Sequence, residues 1–250
     1  AASSAPAPGL ASSAPAVARA APRTLAERGT ELRRSFGAAF TRARADLRRS
    51  VGYGTLAALV GLAPAFVIAH AIARHRERAW ARALEFAALL PLALPGCVVG
   101  IAAILLWNSD WLSSLYATSV PAVAVLTGRF LPLCVLVLGV AFARQDPALE
   151  EAAAMAGASP LHRMVRIVAP MAAGACVLAA LAVYACAVRE LDIAVLVPAL
   201  NSTAIVRLYN GVHFARDGYV AALALLLAAS IVLPFGVWAL ARGPRRLEQA

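Results

Sequence analysis

The amino-acid sequence predicts an all-α membrane protein with about five transmembrane helices, and both its composition and the spacing of its charges lead to this prediction. The chain has 250 residues, of which 62% are hydrophobic and 14% are charged. Soluble domains are about half apolar and about a quarter charged. The excess apolar residues form several uncharged stretches of about 22 residues, long enough to cross a hydrocarbon core of about 30 Å as a helix.

The charged residues give a net charge of +10, and every basic residue is an arginine. These arginines lie between the apolar stretches, which is typical of membrane-flanking segments and of contact with anionic lipid. We therefore expect a lipid bilayer around the chain and no nucleic-acid partner. The cysteines lack the spacing of a metal or redox motif. We expect small buried hydrophobic residues, and no metal site, at Cys97, Cys134, Cys176 and Cys186.

The first part of the chain, residues 1–50, differs from the rest. Residues 1–22 are mostly Ala, Pro and Ser, a composition typical of a linker. Residues 23–50 are rich in Arg, and apolar residues such as Leu32 and Phe36 recur in them at helical spacing. Two interpretations of this second part stay open: an amphipathic helix on a membrane surface, or a solvated charged linker.

Five apolar stretches follow, and each is predicted to cross the membrane. They cover residues 51–73, 84–107, 116–142, 167–188 and 219–241. The second contains Pro91 and the pair Pro95–Gly96, which neighbouring helices can accommodate. The third contains Arg129 near its middle, where a charge costs about 2.5–3.5 kcal/mol, so Arg129 faces protein or water unless the span shifts and the side chain snorkels. The predicted division is a segment over 1–50, a transmembrane domain over 51–241 and a cytoplasmic tail over 242–250.

Arginine counts predict which connecting segments face the cytoplasm. The segments 74–83, 142–170 and 242–250 carry four, three and three arginines, whereas 107–115 carries none and 189–218 carries three. This favours the first set in the cytoplasm. The Arg-rich part of the first 50 residues would then lie outside, which the same rule disfavours.

The segment 142–170 has the pattern of a short helix, a turn and a second short helix. Asp146 is a good N-cap, and the proline after it suits the first helical position. Glu150 and Glu151 lie in the first turn, where the helix dipole favours negative charge. Gly157 is expected to end the helix in a left-handed conformation.

The same segment carries the pattern E-A-A, three residues, G, nine residues, I-x-L-P, with Ala169 at the usual Leu position. In this it resembles the cytoplasmic loop of the permease subunits of binding-protein-dependent ABC importers. The resemblance implies a methionine-importer-like permease core in which this loop is a cytoplasmic coupling helix. It implies an ATPase-coupling role for Glu150, Glu151, Ala152, Ala153, Gly157, Ile167 and Pro170.

The resemblance also implies partners and a location. They are a cytoplasmic ABC ATPase subunit, a periplasmic substrate-binding protein and a second permease half, in a bacterial inner membrane. A Walker A loop needs a lysine to hold phosphate, and the sequence contains no Lys. We therefore expect a transport subunit that is not an enzyme and has no cofactor of its own, with ATP bound by the partner.

Further segments between residues 56 and 240 extend the resemblance. Pro95–Gly96 looks like part of the P-G-hydrophobic-G segment of these permeases. The segments beginning at Arg129 and Arg189 look like those of the subgroup that imports ferric iron, thiamine, phosphonates and polyamines, and ferric iron is the first expectation. Members of the iron type often carry two halves in one chain, and the linker-like start suits a C-terminal half. The expected substrate pathway comprises Pro95, Gly96, Arg129, Arg189, Glu190 and Asp192.

Two questions about these residues stay open. The charges of Arg189, Glu190 and Asp192 either form an outer mouth that attracts substrate or binding protein, or pair locally and end a helix. A secondary transporter, the alternative function, would bind its coupling ion at broken helices near the midplane. Pro91 and Pro95 could supply one break, although no inverted pair of broken spans is visible in the sequence. A membrane anchor without transport activity, or an intramembrane enzyme, is a third class.

Overall fold

The computed structural model describes residues 25–200, 202–214 and 218–243, and within these ranges it contains helices and no strands. The predicted linker over residues 1–22 lies outside the described residues, as does all but the first two residues of the predicted tail. The helices are α1 Leu25–Arg74, α2 Ala79–Ala93, α3 Gly96–Trp107, α4 Ser113–Tyr116, α5 Val120–Ala143, α6 Ala148–Met155, α7 Pro160–Arg163, α8 Ala169–Val188, α9 Asp192–Leu196, α10 Ala204–Phe214 and α11 Gly218–Arg242. A π-helical turn over Met164–Val168 joins α7 to α8, and a 3₁₀ turn over Pro198–Leu200 follows α9.

Four helical segments of the described chain are long and apolar enough to cross a membrane: most of α1, α5, the continuous segment Pro160–Val188, and α11. The pair α2 and α3 makes a fifth if it is counted as one span. The prediction of an all-α membrane protein with about five transmembrane helices is therefore confirmed.

The predicted second span over 84–107 is not one helix, because the chain bends by 98° between α2 and α3. Pro95 has no N–H group to continue the helical hydrogen bonds, and a residue before proline is driven away from helical angles. Leu94 accordingly has the extended angles φ −78° and ψ 138°. From the sequence we expected neighbouring helices to accommodate Pro91 and Pro95 within one continuous span. The structure shows that Pro95 breaks it.

Helix α1 has 50 residues, a length of about 75 Å at 1.5 Å per residue. The boundary expected at residue 50 therefore falls within one helix. The first half of α1 packs Ala39 and Ala43 against Ala222 and Leu223 of α11. Together with Phe36 and Leu47, which pack against the same cluster, they hold this part of α1 against the transmembrane bundle. A free surface helix or a solvated linker would make no such contacts.

The main core lies between α1, α5 and α8, and small side chains such as Ala57, Ala65 and Ala179 let the helices approach closely. Phe142 is fully buried there and meets the ring of Phe66 edge to face, with ring centres 4.9 Å apart. The expectation of buried cysteines holds for Cys134, whereas Cys176 and Cys186 are half-buried and Cys97 is exposed.

Contacts at the two ends of the bundle show which connecting segments lie together. At one end, Arg74 of α1 contacts Glu150 of α6. At the other, Asp46 of α1 pairs with Arg207 of α10, and the Ser50 hydroxyl accepts a hydrogen bond from the Ala204 N–H at 2.9 Å. The segment 142–170 therefore lies at the end of the bundle where α1 ends, opposite to α10.

Candidate coupling element and the broken second span

Helix α6 is held at its start by the residues that the sequence predicts. The Asp146 carboxylate accepts a hydrogen bond from the Ala148 N–H at 2.9 Å, which satisfies one of the free donors at a helix N-terminus. Glu150 and Glu151 lie in the first turn. The helix has only eight residues, too few to be stable alone in water, so contacts with the rest of the protein must hold it in place.

Gly157 ends α6 with a φ of +85°, in the left-handed region that the sequence predicts. The N–H of Ala158 donates to the Ala153 carbonyl at 3.0 Å, and the N–H of Gly157 donates to the Ala154 carbonyl at 3.0 Å. This pair of bonds is a Schellman motif, which a glycine at this position favours because it has no Cβ. The chain then turns into α7, where the Ser159 hydroxyl accepts from the His162 N–H at 3.3 Å.

A cluster of charged side chains fastens α6 to the end of α1. Glu150 Oε1 lies 2.8 Å from Arg74 Nε, and Glu150 Oε2 lies 3.0 Å from His70 Nε2. Arg74 also donates to the backbone carbonyls of Phe142 at 3.4 Å and Gln145 at 3.1 Å. The side chains of Glu150, Arg74 and His70 are only 14–16% exposed. We call these three residues the Glu150 clamp.

Sequence reasoning assigned Glu150 to the coupling segment but missed both of its partners in the clamp. His70 and Arg74 lie 80 and 76 residues earlier in the chain. One feature of the sequence could have indicated these partners. Both residues lie at the end of the first predicted span, and the arginine counts place that end and the segment 142–170 on the same side of the membrane. Arg163 adds a further link, because its guanidinium donates to the Glu150 carbonyl at 3.4 Å.

The outward side of this element carries large apolar side chains. Met155 is 86% exposed and Leu161 is 73% exposed, and Leu149 and Val165 are also exposed. Glu151, unlike Glu150, is exposed. The element therefore has one side that is clamped to α1 and another that presents apolar side chains with no cover from the described chain.

The remaining residues of the predicted motif lie where the second short helix enters α8. Ala152 is exposed, and Ala153 and Ile167 are half-buried. Pro170 follows the π-helical turn Met164–Val168. Because proline has no N–H and its ring crowds the carbonyl four residues earlier, a regular α-helical turn fits poorly there. The widened π turn joins α7 to α8 without a break.

Arg129 lies at the broken second span, on the side of α5 that faces it. Its guanidinium donates to the Pro91 carbonyl at 2.8 Å and also to the Leu94 carbonyl. The end of α2 leaves such carbonyls without helical partners, and a cation there complements the negative end of the helix dipole. Arg129 thus faces protein, one of the two environments that the sequence analysis allowed.

Two carboxylates approach the other side of the break, at the start of α3. A Cβ atom at Gly96 would lie 2.7 Å from the Asp192 Cβ and 2.9 Å from Glu190 Oε1, so only glycine fits. Negative charge is favourable at a helix N-terminus. Glu190 follows the end of α8, and burial raises the pKa of its carboxyl, while the charge of Arg129 acts in the opposite direction.

The structure therefore brings together five of the six residues expected along a substrate pathway. Arg189 differs from the other five because its side chain is exposed, although its charge is near enough to Glu190 to lower the pKa of that carboxyl. The others, Pro95, Gly96, Arg129, Glu190 and Asp192, place opposite charges at the two helix ends that the break creates. Their observed contacts hold a broken helix together, and the described residues contain no group of three or more His, Cys, Asp or Glu side chains that could hold a metal.

The comparisons with known proteins identify a family that covers most of this chain. The family described as "binding-protein-dependent transport system inner membrane component" matches residues 61–241. That range contains α2 to α10, the Glu150 clamp and the broken span. No curated protein matches the chain. Members of this family are the membrane-channel components of ABC transporters and are not themselves the ATPase. The chain belongs to the family of binding-protein-dependent transport system inner membrane components.

Proposed function

We propose that the chain is the permease subunit of an ATP-driven importer and that the segment 142–170 binds its cytoplasmic ABC ATPase. The observation that supports this proposal is the two-sided coupling element. One side is fixed to α1 by the Glu150 clamp, and the other exposes Met155 and Leu161. Exposed apolar clusters of this kind are typical of protein-binding surfaces.

The element is also suited to transmit force. Helix α6 is joined to α1 through side chains and to α8 through the π-helical turn. A displacement imposed on α6 by a bound ATPase therefore acts on two spans at once. In this proposal Glu151, Ala152 and Ala153 approach the ATPase, while Gly157, Ile167 and Pro170 set the angle between the element and α8.

The other components of the transporter follow from the family. We propose that a periplasmic binding protein delivers substrate, that a second permease half completes the channel, and that the complex lies in a bacterial inner membrane. ATP hydrolysis takes place in the partner ATPase, and this chain uses no cofactor of its own. The proposed channel lies beside the broken span, where Pro95, Gly96 and Arg129 meet the carboxylates of Glu190 and Asp192.

For the substrate we propose ferric iron, with thiamine, phosphonate or polyamine as the alternatives. The support is the resemblance of the segments at Arg129 and Arg189 to permeases of that subgroup. Vesicles that contain the permease, its ATPase and its binding protein are expected to accumulate radioactive ferric iron when ATP is present. Accumulation of thiamine instead would leave the importer intact and overturn the substrate.

A two-part experiment tests ATPase docking. Met155→Glu combined with Leu161→Glu is expected to abolish co-purification of the ATPase without lowering the membrane level. The matched control is Trp111→Glu, because Trp111 is 76% exposed and lies in the segment 107–115, predicted to face outside. Normal ATPase recovery with the double variant would contradict the proposal.

Sidedness is tested with cysteines introduced at Ser114 and Ser159 after the native cysteines are replaced. An impermeant thiol reagent added to intact cells is expected to label the cysteine at position 114 and not the one at 159. The opposite pattern would invert the topology and remove the cytoplasmic ATPase from the proposal.

The broken second span also favours one alternative function, because broken helices hold the coupling ions of secondary transporters. A secondary transporter would move substrate along an ion gradient without any ATPase. Vesicles that contain only the permease are therefore expected to show no uptake under a proton or sodium gradient. Uptake under those conditions would replace the importer by a secondary transporter.

A further inference from the structure

A cleft of about 410 Å³ opens between α1, α2 and α5, close to the end of the bundle that carries the coupling element. Its walls are mainly apolar, and they include Ala69 of α1, Leu89 of α2 and Val135 of α5. Its volume lies within the range of about 300–1,000 Å³ that is typical of small-molecule pockets. The cleft is separate from the broken span and from the Glu150 clamp, so neither of those sites explains it.

The charged residues of the lining are Arg76, Arg144 and Glu85, and we call these three residues the rim of the cleft. Arg76 lies two residues beyond the end of α1, and Arg144 directly follows the last residue of α5. Both side chains are exposed, whereas Glu85, the third charged residue of the lining, is half-buried. Two arginines and one glutamate give this rim a formal net charge of +1.

We propose that this cleft is a binding site for an anionic phospholipid. The acyl chain lies along the apolar walls between α1 and α5, and the phosphate lies between Arg76 and Arg144. A lipid with one negative charge complements a rim with a net charge of +1, and basic pockets between transmembrane helices are known to hold anionic headgroups. That this lipid belongs to the cytoplasmic leaflet rests on the proposed function, because the proposed function places this end of the bundle in the cytoplasm. The existence of the lipid site does not depend on it.

A second groove on the same protein gives an internal comparison. It has about 340 Å³, lies between α1 and α8 and includes Leu59 and Ala180 in its walls. Its lining contains no charged side chain. Acyl chains can cover such a groove, but it offers nothing that distinguishes one headgroup from another. We therefore expect the cleft to select one headgroup over another and the groove between α1 and α8 to bind lipids without such selection.

Glycines on α5 allow the cleft to be filled without disturbing the fold. Gly139 lines the cleft, and a Cβ atom there would meet no atom within 4 Å. Gly128 on the same helix is equally open but lies outside the cleft. Gly139→Leu and Gly128→Leu thus form a matched pair that differs in whether the new side chain occupies the cleft.

The test measures lipid retained by the full chain in mild detergent, by native mass spectrometry. Phosphatidylglycerol and phosphatidylcholine with identical acyl chains are the probes, and glycerol phosphate is the soluble competitor. We expect retention of phosphatidylglycerol over phosphatidylcholine, no displacement by glycerol phosphate, and a loss in Gly139→Leu that Gly128→Leu does not show. Arg76→Gln and Arg144→Gln should each lower phosphatidylglycerol retention by roughly fivefold, whereas Arg78→Gln at the start of α2 should not.

Three results would overturn the proposal. Equal retention by Gly139→Leu and Gly128→Leu would show that the cleft holds no lipid. Unchanged selectivity in the two arginine variants would show that the rim does not bind the headgroup. Efficient crosslinking of a cysteine at position 139 to a second permease chain would show that protein, not lipid, fills the cleft. ATPase co-purification is measured on the same samples. Failure of the ATPase to co-purify with the unaltered chain would count against the proposed function and would leave the lipid result unaffected.

Discussion

Removal of the Glu150 carboxylate is the most direct test of how α6 is joined to the spans. Glu150→Gln keeps the size of the side chain and removes the charge that faces Arg74 and His70. The carboxylate contacts Arg74 at 2.8 Å and His70 at 3.0 Å, and the three side chains are 14–16% exposed. The clamp is therefore neither a surface ion pair nor a fully buried one.

The expected cost lies between those two limits. Exposed pairs contribute about 0–1 kcal/mol, and breaking a buried pair costs about 3–5 kcal/mol. Arg74 would keep its bonds to the carbonyls of Phe142 and Gln145, so its charge would not be left without partners. We expect a cost of about 2 kcal/mol, typical of a hydrogen bond to a charged group, which weakens attachment of α6 about thirtyfold.

This loss should appear in coupling rather than in folding, because the spans pack through a separate apolar core. Membrane level and ATPase co-purification are expected to stay near normal in Glu150→Gln, while uptake per ATP hydrolysed falls several-fold. Exchange of the charges, with Glu150→Arg and Arg74→Glu in one chain, should restore part of that ratio. Glu77→Gln is the control, since Glu77 is an exposed carboxylate near the same end.

A normal coupling ratio in Glu150→Gln would refute this reasoning. So would a charge exchange that behaves no better than either single reversal, because the effect would then not come from the pair. Loss of the protein from the membrane would show that the clamp supports folding, which the separation of clamp and core argues against.

Three further substitutions test other parts of the structure. Gly157→Val should leave the membrane level of the protein near normal but weaken ATPase co-purification and abolish uptake, because the left-handed conformation costs a side chain about 1–2 kcal/mol. Gly157→Asn should be tolerated better. Equal behaviour of the two variants would contradict this prediction. Gly96→Val should stop uptake while ATPase binding persists, because its Cβ would lie 2.7 Å from Asp192; normal uptake would show that this contact is not needed. Arg129→Gln should lower the free energy of unfolding in detergent by about 1–3 kcal/mol, and Arg129→Lys should lower it less. The measurement is the unfolding temperature of each variant, and unchanged temperatures would show that Arg129 does not stabilise the break.

The sequence predicted well those features that depend on neighbouring residues. Uncharged length placed the spans, and the spacing from Asp146 to Gly157 placed the short helix α6 and its left-handed end. A break at Pro95 was considered only for a secondary transporter, and otherwise one continuous span was expected. A proline in a span can either kink or break the helix, depending on which groups bond to the carbonyls that it frees. Here the guanidinium of Arg129 donates hydrogen bonds to these carbonyls, although it lies 35 and 38 residues away along the chain.

The partners of the Glu150 clamp and the course of the first 50 residues could not be predicted for related reasons. His70 meets Glu150 across 80 residues, a distance at which helical periodicity carries no information. In the first half of α1, Ala39 and Ala43 form the buried stripe. Alanine hardly marks an apolar face in an Ala-rich sequence, so the helical pattern was recognised from Leu32 and Phe36 instead. Phe36 does pack against this stripe, whereas Leu32 is exposed.

Helix α1 connects the two ends of the bundle that the proposals treat separately. Its end is fixed to α6 through Arg74, and its first half is fixed to α10 through Asp46, 28 residues and about 42 Å earlier at 1.5 Å per residue. A movement of α6 that leaves the clamp intact must therefore either move α1 against α10 or bend α1 between the two anchors. Pro64 lies between them within the helix and removes one hydrogen bond there. Bending of α1 at Pro64 would keep both ion pairs, whereas movement of α1 along α10 would break the pair between Asp46 and Arg207.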